Sequence, residues 1–507
     1  MSFIDNIKDE LNVSVTENGA VGYETTGKNL LDFNFKVASY RNMSESLILK
    51  DFTKAWLEDK ELALKYLFYV RDIREGLGER RLFRVCITSI IDSLDERVFD
   101  WIGEYGRYDD LFVFFKTKME SAMIAYVAKT LEDDCVKCME GKPVTLLAKW
   151  MPSVNTSSKE TRLLAKVFAR NMELTDKEYR KTLSRLRAHI DVLERKLCAN
   201  EWNKVEYSKV PSQANLKYNT AFFKHDQERR EEYLANLQKG DTKINASTLF
   251  PHDVVNKYNS VQGWNFRYKD GVDVALEELW KALPNYVDGS TNTLVVRDGS
   301  GSMSVRVGKT NISALDVSTA LAIYFSERCE GQFKNQFITF SSRPQIIDMS
   351  KCETLRDKLE LCYQYDDCSN TNIEATFDLI LRAAINNNLK QEDIPNLLII
   401  SDMEFDGATT VSRDSWSNAK PSDMNKLFVK IEAKFNNHGY KLPRLIFWNV
   451  NSRTMTIPLT ENQAGVILVS GFSPAVTKLV LAEETDPYKA LVKELNSERY
   501  AKITLNK

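Results

Sequence analysis

At 507 residues, 43% apolar and 28% charged, the chain is made like a soluble globular protein with room for about two to four domains, which excludes a disordered or fibrous polymer. Its net charge of −2 excludes a protein that is basic throughout, so any surface for a polyanion must be local. No uncharged apolar run reaches the roughly 18 residues of a membrane span, and the first ten residues lack the basic and apolar regions of a signal peptide, so no membrane partner is expected and the cytoplasm is the expected location.

Eight cysteines scattered along the chain do not form a disulfide framework. Cys135 and Cys138 are the one close pair, with no second pair and only four histidines in the chain, and are read as neighbours on a helix rather than as a zinc or redox site.

Residues 1–30 are polar and rich in Gly, Asn and Thr, and are read as an N-terminal arm. From 31 to 285 the apolar residues recur at helical spacing, as in Leu47, Ile48, Phe52, Ala55 and Trp56 and then Leu64, Leu67 and Phe68. Between these helices, residues 71–81 combine four arginines with three acids: Arg71, Arg74, Arg80 and Arg81 accompany Asp72, Glu75 and Glu79. That block suits either a phosphate-binding loop or a salt-bridged turn. Helix follows helix through 87–94, 101–115, 122–131, 146–150 and 162–170, which suggests stacked pairs in a solenoid-like domain although no fixed period repeats.

Residues 159–230 depart from neutrality, with 17 Lys and Arg against 10 Asp and Glu. Within them Arg180, Lys181, Arg185 and Arg187 stand at spacings that align cations along a helix. Lys204 and Lys209 follow among Trp202 and Tyr207, and Lys224 follows Phe222 and Phe223. Such a stripe suits a polyanion, and the plainer reading is a solvated helix face. His225 beside Asp226 has no activated nucleophile near it in sequence, so no catalytic residue is assigned.

Residues 284–292 form a linker, after which short apolar runs alternate with helical patterns from 290 to 485, and 486–507 make a polar tail. Alternation of this kind predicts a doubly wound parallel sheet. The run 294–297 ends at Asp298-Gly299-Ser300-Gly301-Ser302, which delivers one carboxylate and two hydroxyls onto a glycine-softened turn. Thr371 lies in a polar loop before a helix, and Asp402 ends the second buried run at 396–401. Ligands of open α/β sheets bind beyond the carboxyl ends of the strands. Asp298, Ser300, Ser302, Thr371 and Asp402 are therefore the expected ligands of a hard cation, Mg²⁺ or Mn²⁺.

This Asp-x-Ser-x-Ser motif with a loop Thr and a strand-end Asp resembles the metal-ion-dependent adhesion site (MIDAS) of von Willebrand factor A (vWA) domains. A Tyr-Arg-Lys helix at 179–181, Trp202-x-x-Val205-x-Tyr207-x-x-Val210-Pro211-Ser212, and Tyr218-x-x-Ala221-Phe222 resemble the TROVE module of Ro autoantigen proteins. The chain is also similar to a family that pairs such a helical part with a C-terminal vWA domain, where the pattern of 71–80 recurs. The resemblance implies an α-helical, HEAT-like repeat domain that closes into a ring in Ro proteins, followed by a Rossmann-like vWA domain. It also implies binding of small structured or misfolded RNA and its single-stranded ends, as in a ribonucleoprotein, with Arg180, Lys181, Arg185, Arg187, Lys204, Lys209 and Lys224 as the expected contacts by local charge.

Two functions are consistent with these features. The first is a Ro-like RNA-binding protein with a metal site for a partner. The second is a metal-dependent adaptor without RNA binding, in which the cation captures an acidic side chain of a protein. A metal-dependent hydrolase fits less well, because two-metal hydrolysis needs a denser set of carboxylates than Glu404 and Asp406 add to Asp402. Arg297, charged and adjacent to Asp298 in an otherwise apolar run, would weaken a cation site if it pointed at the metal.

Overall fold

Two short antiparallel hairpins precede the main sheet: β1 (Ser14–Val15) with β2 (Val21–Gly22), and β3 (Asn259–Gln262) with β4 (Asn265–Tyr268). The sheet contains β5 (Thr293–Asp298), β6 (Gln336–Phe340), β7 (Ile346–Asp348), β8 (Asn396–Ser401), β9 (Leu445–Asn449) and β10 (Val466–Ser470) in the order β10-β9-β8-β5-β6-β7. All neighbours are parallel except β7 on β6. The computed structural model describes residues 12–262, 265–287, 292–366, 372–405, 424–460, 464–481 and 484–506.

The strands form where the sequence offers unbroken apolar runs. Every residue of β5, β9 and β10 is buried, as expected for parallel strands covered on both faces. Helix Ala314–Arg328 lies against β5, β6 and β8 and is buried almost throughout. It starts at a capping box in which the Ser313 hydroxyl accepts from Asp316 N, and the Asp316 carboxylate accepts from Ser313 N. Counted from β5, the strands run 3-2-1-4-5-6 across the sheet, so the chain reverses its direction of winding between β5 and β8. Asp298 and Asp402, both buried, stand at the carboxyl ends of these two strands, at that switch point.

A helical part and an α/β part are both present, as the periodicities predict. The compact units do not follow a single cut near residue 285, however. One comprises Met1–Ala63, Arg74–Leu77 and Ala246–Lys502, and the other Leu64–Ile73, Gly78–Asn245 and Ile503–Lys507. The beginning of the chain joins the sheet unit through backbone pairing that no periodicity encodes: Tyr23 N donates to Ile457 O at 2.8 Å, and Ile457 N to Tyr23 O at 2.9 Å. Helix Asn29–Phe35 packs against β10, and Asn449 Nδ2 donates to Phe35 O at 2.8 Å.

The helical unit is a succession of helices that includes Arg80–Ser89, Arg97–Tyr105, Glu120–Met139, Lys159–Asn171, Asp176–His189, Ser212–His225 and Gln227–Lys239. Cys135 and Cys138 sit on the third of these as free thiols. The arginines at the start of the unit are organised by one acid. Asp110, fully buried, accepts from Arg71 Nε at 2.7 Å, Arg84 Nε at 2.6 Å and Arg107 N at 3.0 Å. Gly106 is dictated by the same carboxylate, because a Cβ there would come within 2.9 Å of Asp110 Oδ2. Within the 71–81 block, Arg71 therefore belongs to a salt-bridged turn rather than to a phosphate loop.

Asp110→Ala leaves Arg71 buried without its counter-charge, and the expected cost is about 3–5 kcal/mol. Arg80→Ala should cost less than about 1 kcal/mol, because that side chain is 52% exposed and 4.0 Å from Asp109. Urea denaturation of both variants tests this, and equal losses would contradict the assignment of Asp110 as the organising charge.

Candidate functional site

The parallel register between β5 and β8 sets Arg297 beside Ile400, so Asp298 and the Ser401-Asp402 pair emerge together at the strand ends. Asp298 is fully buried and held on both oxygens. Oδ1 accepts from Ser300 N at 2.9 Å, and Oδ2 accepts from the Ser401 hydroxyl at 2.6 Å. The turn then brings Ser300 Oγ and Ser302 Oγ within 3.0 Å of each other. Asp402, also buried, accepts from Glu404 N on Oδ1 at 3.2 Å and from Arg453 Nη1 on Oδ2 at 3.2 Å.

Two carboxylates taken out of water near each other resist ionising together. Burial raises the pKa of Asp298, with the bonds from Ser401 and Ser300 offsetting part of the rise. Asp402 is pushed up to about 7 by burial and by the charge of Asp298, against the pull of Arg453. The site is thus an oxygen-only donor set of two acids and two hydroxyls, with Arg453 on Asp402 as a counter-charge, and oxygen donors are the chemistry a small hard cation selects. Among the described residues no group of three or more His, Cys, Asp or Glu is placed to hold a metal ion. Thr371 and Asp406 lie outside the described residues.

Arg297 does not point at these acids. Alternation along the strand turns its side chain to the opposite face from Asp298, where Nε and Nη2 donate to Thr319 Oγ1 at 3.0 and 2.8 Å and Nη2 also donates to Asp366. Burial works against its charge, but Asp366 more than compensates and holds the guanidinium protonated. Gly299 leaves room for this pair, since a Cβ there would lie 3.0 Å from Asp366 Oδ1.

Ser401 and Arg453 escaped the sequence reading, and Glu404 enters it only as an extra carboxylate after Asp402. Ser401 fixes Asp298, and its only signal is adjacency to Asp402. Arg453 reaches Asp402 from the loop after β9, and it also donates to Ser302 O at 3.4 Å and to Glu17. Glu404 is buried and fully occupied: Oε1 accepts from Arg453 N at 2.6 Å and Thr454 N at 2.9 Å, and Oε2 accepts from Glu17 N at 2.7 Å. It builds the loop that carries Arg453, and it has no free oxygen with which to serve as a base. Asn449, at the end of β9, shapes the same loop by accepting from Asn451 N and Ser452 N.

The cations expected to contact RNA are employed differently from one another. Arg187 turns inward, with Nε donating to Ala148 O at 2.8 Å, Nη2 to Met151 O at 2.7 Å and Nη1 to Ser153 Oγ at 3.0 Å. Lys204 pairs with Glu201 and Lys209 with Glu206, each at 2.7 Å. Arg180, Lys181, Arg185 and Lys224 are exposed. Of the interleaved aromatics, Tyr207 is buried against Phe222, Tyr233 and the buried Arg230, while the half-buried Trp202 stacks on the exposed His225 at 4.4 Å. Asp226 accepts from Tyr207 OH at 2.8 Å and from Arg229 Nη1 at 2.9 Å, so this His-Asp neighbour pair is structural.

Comparison with known proteins gives two family matches. Residues 292–504 match a family described as Domain of unknown function (DUF7788), and residues 16–92 and 123–292 match Domain of unknown function (DUF2828). The chain is similar to Uncharacterized protein L728 of Acanthamoeba polyphaga mimivirus, 29% identical over 95% of this chain and 87% of that protein. These matches overturn the TROVE, Ro-like and vWA resemblances, and the MIDAS name goes with the vWA domain. They also remove the footing of the Ro-like, ribonucleoprotein and RNA-binding reading, whose residues Arg187, Lys204 and Lys209 are already paired within the helical unit. The short motifs misled because Asp-x-Ser-x-Ser and aromatic-Lys patterns also arise from strand-end turns and from core packing. No described helix is long and apolar enough to cross a membrane.

The raised pKa of Asp402 has a direct consequence for metal-free protein. Between about pH 4 and 7 the folded state holds a proton that the unfolded state has released, so this group's contribution falls as pH rises through that window. Asp402→Asn mimics the protonated form. In EDTA, its melting temperature relative to wild type should therefore be more favourable at pH 7.5 than at pH 5, and a pH-independent difference would contradict the assigned shift.

Proposed function

We propose that the chain is a non-catalytic adaptor whose sheet unit binds a protein partner through a divalent cation. Asp298, Ser300, Ser302 and Asp402 would hold Mg²⁺ or Mn²⁺, leaving a position for a carboxylate of the partner. The observation that carries this reading is the pair of buried, charge-resisting acids beside two hydroxyls at the point where the sheet reverses its winding. A divalent cation bound there would add positive charge to this oxygen set.

The chain's own residues prepare the site. Ser401 and Ser300 N fix the Asp298 carboxylate, and Glu404 N fixes that of Asp402, so the acids need little reorganisation on binding. The hydroxyls of Ser300 and Ser302 add neutral donors, which keeps total charge low enough for an acidic ligand to approach. Binding is favoured over hydrolysis because both oxygens of Glu404, a further acid among the described residues, are committed to the 452–454 loop and to Glu17 N. The helical unit serves as scaffold in this reading. Free thiols at each described cysteine agree with a reducing compartment such as the cytosol.

Isothermal calorimetry with Mn²⁺ and Mg²⁺ tests the site. Wild type should bind one ion, and Ser302→Ala and Asp298→Ala should each weaken binding about tenfold or more, estimated from one lost charged or polar ligand. A partner recovered in Mg²⁺ should be released by EDTA. Absence of metal binding, or affinity unchanged in both variants, would overturn the proposal, and the half-buried Ser302 supplies a variant that leaves the core intact.

A further inference from the structure

The helical unit contains a cleft of about 660 Å³ lined mainly by basic side chains. It lies along helices Lys159–Asn171 and Asp176–His189, which start at the capping residues Ser158 and Thr175. Lys159, Arg162 and Lys166, at i, i+3 and i+7, share one helix face, and Lys177 and Arg180 come from the second helix. The one acid in the lining is Asp176, 3.9 Å from Lys166. Among the described residues, Lys159, Arg162, Lys177 and Arg180 have no carboxylate within 4.0 Å.

Some surface cations of this unit are matched, as Lys196 is by Asp191, Lys204 by Glu201 and Lys209 by Glu206. Glu178, the next acid on the second helix, is held in the capping box with Thr175, and its charge acts on Lys177 and Lys181. Five like charges gathered around one cavity repel each other, and a bound anion relieves that repulsion. The cleft also shows an apolar surface: Leu163, 55% exposed, lies between Arg162 and Lys166 in the lining, with Val154 also in it.

We propose that this cleft binds a nucleoside polyphosphate. Arg162 and Arg180 would grip phosphate oxygens with their planar forks. Lys159, Lys166 and Lys177 would add point charges along the chain of phosphates. Leu163 and Val154 would carry the base. The volume falls within the range of about 300–1,000 Å³ typical of small-molecule sites. A concave basic wall also concentrates anions more strongly than a flat one. The proposal stands on the helical unit alone and is independent of the cation site in the sheet unit.

The test is calorimetry on the full chain in EDTA at about 50 mM salt, with ATP, GTP, inorganic tripolyphosphate and a 20-nucleotide single-stranded RNA as probes. Wild type should bind the nucleotides and, more weakly, tripolyphosphate. Arg162→Gln and Arg180→Gln should each weaken both about tenfold, the size of one lost charge-assisted contact. Leu163→Ser should weaken the nucleotides and leave tripolyphosphate unchanged. All three side chains are exposed, so the variants should fold. The proposal is overturned by no binding of nucleotide, by affinity indifferent to both arginine variants, or by RNA binding that depends on these arginines while nucleotides do not bind. Equal affinity for ATP and tripolyphosphate would overturn the nucleoside part.

Discussion

The local structure of the sheet unit depends on a pair of carboxylates that water does not reach. Asp298 and Asp402 come together because β5 and β8 are parallel neighbours, and burial makes their joint ionisation costly. The surrounding groups can be understood as answers to that cost. Ser401 and Ser300 N donate to one acid, and Glu404 N and Arg453 donate to the other. Arg453 is itself held by the loop that Glu404 and Asn449 shape, and by Glu17 from the beginning of the chain. Segments more than 400 residues apart in sequence thus converge on one pair of acids.

A second buried charge sits on the other face of the same strand. Arg297 would be intolerable in a parallel strand without a partner, and Asp366 with Thr319 supplies one. The two faces of β5 therefore carry opposite charges one residue apart, each with its own partners. This separation keeps the guanidinium from neutralising Asp298 directly, and it explains why Gly299 follows: a side chain there would press on the Arg297–Asp366 pair. Hydrophobic burial defines the strand, while these paired charges define what its end can do.

Much of this was legible in the sequence where the signal is local. Apolar runs ending in Asp298 and Asp402 forecast strands with acids at their ends, and the helical periodicity forecast the helical part. Asp298, Ser300, Ser302 and Asp402 come from short motifs whose geometry follows from strand ends and turns. The roles of Arg453 and Glu404 were not legible, because they arise from long-range loop packing that no periodicity records. The same limit explains the beginning of the chain, where residues 14–35 read as a weak arm and helix but pair with Ile457 and pack on β10. Arg187 looked like a surface feature because sequence gives spacing without giving the side on which the core lies. Short aromatic and basic motifs of that kind suggested a family that the matches over 16–92, 123–292 and 292–504 replace.

The most direct measurement of the central claim is anomalous diffraction from crystals of the full chain grown with Mn²⁺. The account predicts a single strong Mn²⁺ peak at the strand ends, ligated by oxygens of the Asp298-Gly299-Ser300-Gly301-Ser302 turn, with Asp402 bound directly or through water. Strand ends without Mn²⁺ at saturating concentration, with Arg453 still bridging Asp402 and Ser302, would contradict it and would identify the arginine as the permanent counter-ion of the two acids.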